Sequence, residues 1–226
     1  MSLPFYVNPE TATREKADFA RRNIARGRPI VALEVTEGVL IVSENPSRHL
    51  RKIAEVCDRI AFAGVGKYTE LEALRKAGVR LADMKGYSYH REDVTARSLA
   101  NAYAEAMAAV FTNDLKPYEV EIMVAQVGES DGEPNEIYHV DFAGFITDEH
   151  RFMAMGGEAD ALKERVAEAY RDDLDLNTGL RAAVQALGGP DRQVPQEELE
   201  AALLQSTGGR RRFRRLTAPD LADALG

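Results

Sequence analysis

Cysteine is nearly missing from this chain: Cys57 stands alone in 226 residues. No intrachain disulfide can form, a cysteine-based zinc cluster is excluded, and a reducing compartment is the simplest inference. Tryptophan is absent altogether. No apolar run approaches the ~18–20 residues of a membrane-spanning helix. The N-terminus, MSLPFYVNPE, lacks the positive region and long apolar core of a signal peptide. Together these absences predict a cytoplasmic protein with no membrane partner. Positive charge is also in short supply, with 29 Lys and Arg against 37 Asp and Glu, a formal net charge of −8. That balance disfavours a nucleic-acid partner. No low-complexity block interrupts the chain, and its length allows one sizeable core.

Metal chemistry has little to build on. The four histidines, His49, His90, His139 and His150, never take the H-E-x-x-H spacing that puts two ligands on one helix face. His139 and Asp141 would share a strand face, but two groups do not make a zinc site. No metal or cofactor is expected.

Helix and strand signals alternate in blocks. Asn8 caps and Pro9 opens a helix that runs to Arg26 and closes at Gly27. Its stripe of Ala12, Ala20 and Ile24, joined by Phe19, is narrow, so this helix must rest on another surface. Strand-like runs follow at Ile30–Val35, Val39–Ser43, Lys52–Cys57 and Ile60–Val65, reading as two hairpins. Next come two helices, one with Leu71, Leu74, Gly78 and Leu81 in register. The other carries Leu99, Ala102, Tyr103, Ala106, Met107 and Val110, with Asp93 as its cap.

Strands return at Glu119–Val127 and Ile137–Phe142, with short ones at Gly144–Thr147 and Phe152–Met155. Helices fit Ala159–Tyr170 and Leu176–Leu187. A hairpin of Leu199–Gln205 and Arg211–Leu216 precedes a last helix from about Ala218. Blocks of strands and blocks of helices predict an α+β fold of antiparallel sheets rather than βαβ units. Two packed sheets with helices outside each satisfy every element.

Several local patterns invite a catalytic or binding reading. Gly128-Glu129-Ser130-Asp131-Gly132 matches G-x-S-x-G, but a strand and not a helix follows, so the segment reads as a hairpin loop. Met155-Gly156-Gly157 precedes a helix without the Lys-Ser/Thr of a phosphate loop, and reads as a tight turn. Arg210, Arg211, Arg212, Arg214 and Arg215 form the densest charge run, expected as a solvated edge or a protein contact. Lys52 would share a strand face with Ala54 and Val56. Its residue-level reading is a lysine whose stem covers apolar surface while its head reaches water.

Taken together, ARGRPIVALEV, GVLIVSENPSRHLRKI, DRIAFAGVGKY, LADMKGYSYHREDVTAR, LANAYAEAM, KPYEVEIMVA and RRRFRRLT resemble the α subunits of actinobacterial 20S proteasomes. The resemblance spans residues 1 to about 216 and implies the N-terminal nucleophile hydrolase fold, a four-layer α-β-β-α sandwich forming one domain over residues 1–226. It divides that domain into a gating segment (1–9), an N-terminal helix (9–26) and a sandwich core with its C-terminal helix (28–226). It further implies a heptameric ring of α subunits stacked on β subunits that carry the threonine protease activity.

In the catalytic relatives the nucleophilic threonine would fall at Arg28, the acidic group at Glu44 and the lysine at Lys52. A guanidinium forms no acyl-enzyme intermediate, so the chain is expected to be catalytically silent. The rival expectation is an active N-terminal nucleophile hydrolase with an unrecognised nucleophile. The resemblance assigns Lys52, with Gly27 beside it, to the pocket that takes the C-terminal tail of a ring-shaped ATPase activator. It assigns Ser2, Leu3, Pro4, Phe5, Tyr6, Val7 and Asn8 to a gate at the ring axis.

Overall fold

A computed structural model describes residues 8–47, 49–129, 132–190 and 192–226. The proposed gate residues Ser2–Val7, and Ser130 of the G-x-S-x-G stretch, lie outside them.

The first helix, α1 (Pro9–Ile24), starts as its sequence demands: the Asn8 side chain accepts the Glu10 amide at 3.1 Å and Pro9 fills the first turn. Ala20 and Ile24 are its buried residues. Phe19, expected in the stripe, is exposed instead, because the helix touches the body along only one narrow line. Strands β1 (Ile30–Val35) and β2 (Gly38–Glu44) pair antiparallel, as do β3 (Ile53–Cys57) and β4 (Ile60–Gly66). Helices α2 (Tyr68–Ser88) and α3 (Ala96–Asn113) follow. Thr95, not Asp93, caps α3 by accepting the Ser98 amide at 3.2 Å. Its buried stripe is Leu99, Ala100, Tyr103, Ala104 and Met107, so Ala106 faces outward.

Strands β5 (Val120–Gln126), β6 (Glu136–Val140) and β7 (Ile146–Glu149) complete one sheet in the order β3-β4-β5-β6-β7. The next strand, β8 (Phe152–Met155), leaves that sheet and pairs with β1. Arg151, at φ +69°, makes the turn between them, and Glu34 of β1 accepts its amide at 2.8 Å. Helices α4 (Ala159–Ala169) and α5 (Leu176–Gly188) precede β9 (Leu199–Gln205), β10 (Phe213–Arg215) and α6 (Ala218–Leu225). The second sheet therefore runs β10-β9-β2-β1-β8.

The two sheets bury one core between them: Ile30, Ala32, Val39 and Ile41 meet Ile53, Ala63, Val65, Met123 and Ala125. Outside the β1–β2–β9 sheet, Leu180, Ala183 and Leu187 of α5, with Leu162 and Val166 of α4, cover Val31, Leu33, Leu40 and Val42. Outside the other, Leu71 and Leu74 of α2, with Leu99, Tyr103 and Met107 of α3, cover Phe62, Ile122 and Val124. Each fully buried Leu, Ile or Phe contributes roughly 1.5–3 kcal/mol. The result is the α+β sandwich, helices outside two antiparallel sheets, that the order of elements predicts.

Candidate functional site

Lys52 is where the structure departs most from strand periodicity. The strand begins one residue later, at Ile53, and a register shift between Glu55 and Cys57 interrupts the alternation. Lys52 does not extend along a sheet face. Its amine crosses to the opposite sheet, donating to the carbonyl of Arg28 at 2.7 Å, the carbonyl of Glu44 at 3.2 Å and the Ser43 hydroxyl at 3.4 Å. Burial lowers its pKa to about 8, against the pull of the Glu200 and Glu44 carboxylates and with a push from the Arg28 cation.

The positions that resemblance picks out thus meet in space. Arg28 Nη1 lies 3.1 Å from Glu44 Oε1, and Lys52 binds the backbone of both. Gly27 precedes Arg28 at the junction of α1 and β1. A Cβ there would sit 2.6 Å from the Val65 side chain and 3.1 Å from the Gly66 amide, so only glycine lets this corner lie flat on β4. Asn8 is at the other end of α1, about 24 Å along the helix axis, and is not part of this cluster.

Residues that sequence reasoning passed over complete the site. Arg192, in the segment after α5, grips Glu44 with two parallel bonds of 2.9 and 2.7 Å. That hydrogen bonding, ahead of every other influence, holds the Glu44 carboxyl below its usual range although burial opposes it. Glu200 of β9 accepts from Asn45 Nδ2 (2.6 Å), the amides of Lys52 (3.0 Å) and Ile53 (3.3 Å), and Arg215 (2.6 Å). The readable signal was a lone acid in the apolar run LEAALLQ. The Glu44 side chain is 0% exposed and that of Glu200 1%, while Arg28, Arg192 and Arg215 are 53%, 44% and 33% exposed. The carboxylates form a floor, and the surface shown to solvent is cationic.

Hydroxyl chemistry has no opening here. Ser43 is fully buried, and its hydroxyl donates to the Pro29 carbonyl at 3.0 Å. The G-x-S-x-G stretch joins β5 to β6, which pair antiparallel, in keeping with a hairpin loop. The Gly156 amide before α4 donates to a carboxylate, Glu121, at 2.5 Å, so no phosphate cradle is offered. His139 meets the same Glu121 at 3.1 Å. Among the described residues no three His, Cys, Asp or Glu side chains are grouped as metal ligands. The arginine run is spent largely within the chain: Arg210 pairs with Asp58, Arg211 with Glu55, Arg214 with Asp220 and Arg215 with Glu200.

The chain matches the proteasome subunit family model over residues 24–190. The chain belongs to the proteasome subunit family. Among similar proteins, the proteasome subunit alpha of Kineococcus radiotolerans is 52% identical, covering 100% of this chain and 98% of that one. That of Thermomonospora curvata is 48% identical, with 100% and 98% covered. That of Sanguibacter keddieii is 50% identical, with 100% and 90% covered. Full-length similarity to α-named proteasome subunits agrees with the resemblance read from the sequence segments. The helix α1 lies on β4 and β5, next to Arg28 in the chain.

Proposed function

We propose that this chain is a noncatalytic α subunit of a bacterial 20S proteasome core particle. It assembles with further α subunits into a heptameric ring and with β subunits that carry out proteolysis in the cytoplasm. On this reading its own tasks are to gate entry and to dock a ring-shaped ATPase. The observation that carries the docking role is the cation-rimmed cluster of Arg28, Lys52 and Arg192 over the buried Glu44. A tail carboxylate in a partly desolvated groove gains more from such charges than it does in water.

The silent chemistry has its own support. On this reading Arg28 stands where catalytic relatives carry their nucleophile, and the neighbouring hydroxyl, Ser43, is fully buried. An active hydrolase would need that serine, or another group, to face a cleft. The gate falls to Ser2–Val7, which precede α1 in the sequence, together with Asn8.

Co-expression with the β subunit and electron microscopy with the ATPase test this reading. Wild-type particles become capped at their ends, and Lys52→Ala particles stay bare. Equal capping of both removes the docking role. Peptide hydrolysis by the isolated α chain would replace the whole reading with the hydrolase one.

A further inference from the structure

Within the arginine run some ion pairs are closed: Arg211 reaches Glu55, and Arg215 reaches Glu200, at 2.6 Å each. Around the turn between β3 and β4 the pairs are looser. The Arg59 side chain is only 17% exposed, yet its one ion pair is a 3.5 Å contact with Glu129, itself 51% exposed. A charge-assisted bond is normally about 2.7–2.9 Å long. Among the described residues the Arg59 guanidinium has no other hydrogen bond or ion pair. A mostly buried cation met so loosely is costly unless an anion completes it.

Its neighbours also have donors to spare. Asp58 is one carboxylate shared by two guanidinium groups, Arg91 Nη1 and Arg210 Nε, each at 3.2 Å. Those arginines are 54% and 67% exposed, and an arginine carries five N–H donors. The Arg212 amide donates to the Asp58 carbonyl at 2.9 Å, which fixes the β9–β10 connection against this turn. The four arginines, from three segments of the chain, line one cavity of about 300 Å³. Asp58, Glu92 and Glu129 are the acids around it, so the arginines hold one positive charge in excess.

A second cavity of about 360 Å³ adjoins the first, and Asp58, Arg91 and Val94 line both. Its other walls differ in kind: Ala82, Gly86 and the ring of Tyr87, with Asp83 as an acceptor. An added Cβ at Gly86 would stand 3.2 Å from the Arg91 side chain, so glycine leaves Arg91 its place between the two spaces. Tyr87 is 93% exposed, an aromatic face with nothing of this chain over it. Each cavity is of the size at which small-ligand sites begin, roughly 300 Å³.

We propose that these joined cavities bind a phosphate ester of an aromatic ring compound, of which a nucleoside monophosphate is the simplest. The phosphoryl oxygens meet the guanidinium forks of Arg59, Arg91 and Arg210, whose planar geometry suits phosphate. The ring lies against Tyr87 and Val94, and Asp83 accepts from a ring or sugar donor. The site is separated from the corner at Gly27 and Lys52 by the length of β4, about 20 Å, and is independent of the docking reading.

The test is calorimetric titration of the full-length chain, purified with its β subunit, with orthophosphate, adenosine monophosphate and adenosine. The monophosphate binds about tenfold or more tighter than orthophosphate, and adenosine gives no measurable heat. Arg59→Gln and Arg210→Gln each weaken the monophosphate by about tenfold, the scale of one charge-assisted hydrogen bond. Arg210 is well exposed, so its variant keeps the fold should Arg59→Gln lose it. Tyr87→Ala weakens the monophosphate and leaves orthophosphate unchanged, and Arg22→Gln, on α1, changes neither. Equal affinity for orthophosphate and the monophosphate overturns the ring half of the proposal. Wild-type affinity in both Arg59→Gln and Arg210→Gln places the anion elsewhere and overturns the site. No binding of any of the three compounds at millimolar concentration reduces the four arginines to an internal clasp.

Discussion

The ammonium of Lys52 lies 2.7 Å from the carbonyl oxygen of Arg28, 24 positions earlier in the chain. That bond spans the two sheets, tying the approach to β3 to the corner where α1 becomes β1. A Lys52→Met variant keeps most of the apolar stem and loses the tie, leaving the Arg28 and Glu44 carbonyls short of a donor. We expect a loss of roughly 1–3 kcal/mol in denaturant unfolding, the range for a buried polar group deprived of its partner. Unchanged stability would mean that water replaces the amine at no penalty.

The lowered pKa of Lys52, about 8, gives a pH dependence with a definite sign. Between about 8 and the ordinary lysine value the unfolded chain holds the proton that the folded chain has released. Folding stability attributable to this group therefore rises with pH across that window. Comparing wild type with Lys52→Met isolates the contribution, because the variant lacks the rise. Docking of an anionic tail has the opposite trend: it is strongest below pH 8 and weakens as the ammonium is lost. Affinity flat from pH 7 to 9.5 would show that the charge of Lys52 plays no part.

Glu44 is a fully buried carboxylate clasped by Arg192 and met by Arg28. Glu44→Ala leaves two half-exposed cations without the carboxylate they share and should cost roughly 1–3 kcal/mol, the range for a lost charge-assisted partner. Because the folded-state pKa is depressed, its contribution is present above the ordinary carboxyl value and fades as pH falls below it. Thermal unfolding at pH 7 and pH 3.5 should therefore separate wild type from Glu44→Ala more widely at pH 7.

Glu200 gathers four donors from three parts of the chain and holds the segment after β2 in place. In Glu200→Gln one oxygen becomes an amide nitrogen that cannot accept from its present donors. Hydrogen exchange at the Lys52 and Ile53 amides should accelerate severalfold, with the α2 and α3 amides unaffected. Acceleration spread evenly over both sheets would point to global destabilisation instead.

Helix α2 crosses α3 at Gly78, where an added Cβ would stand 1.7 Å from the Tyr103 hydroxyl oxygen. Gly78→Ala should lower stability by roughly 1–3 kcal/mol through overpacking. The Tyr103 hydroxyl is buried without a partner among the described residues, so Tyr103→Phe alone should be neutral or stabilising. Combining the two should recover part of the Gly78→Ala loss. Additive effects in the double variant would show that the two residues do not meet.

The sequence by itself determined which segments are strands and which are helices, because those choices are local. Asn8-Pro9 set the start of α1, near-continuous runs of Val, Ile and Leu made β1 and β2, and three-and-four spacing made α2, all before any long-range contact. Block order then excluded a parallel βαβ sheet. Only tertiary structure decided that β7 and β8, neighbours in the chain, belong to different sheets, since pairing depends on which edge is open. It also decided the site. Lys52, Arg192 and Glu200 are up to 148 positions apart, and nothing in their own neighbourhoods says that they converge. A buried carboxylate selects its cations by distance through space, so Glu44 found Arg192 only when α5 and β2 had packed, and Lys52 found Arg28 only when the two sheets had closed.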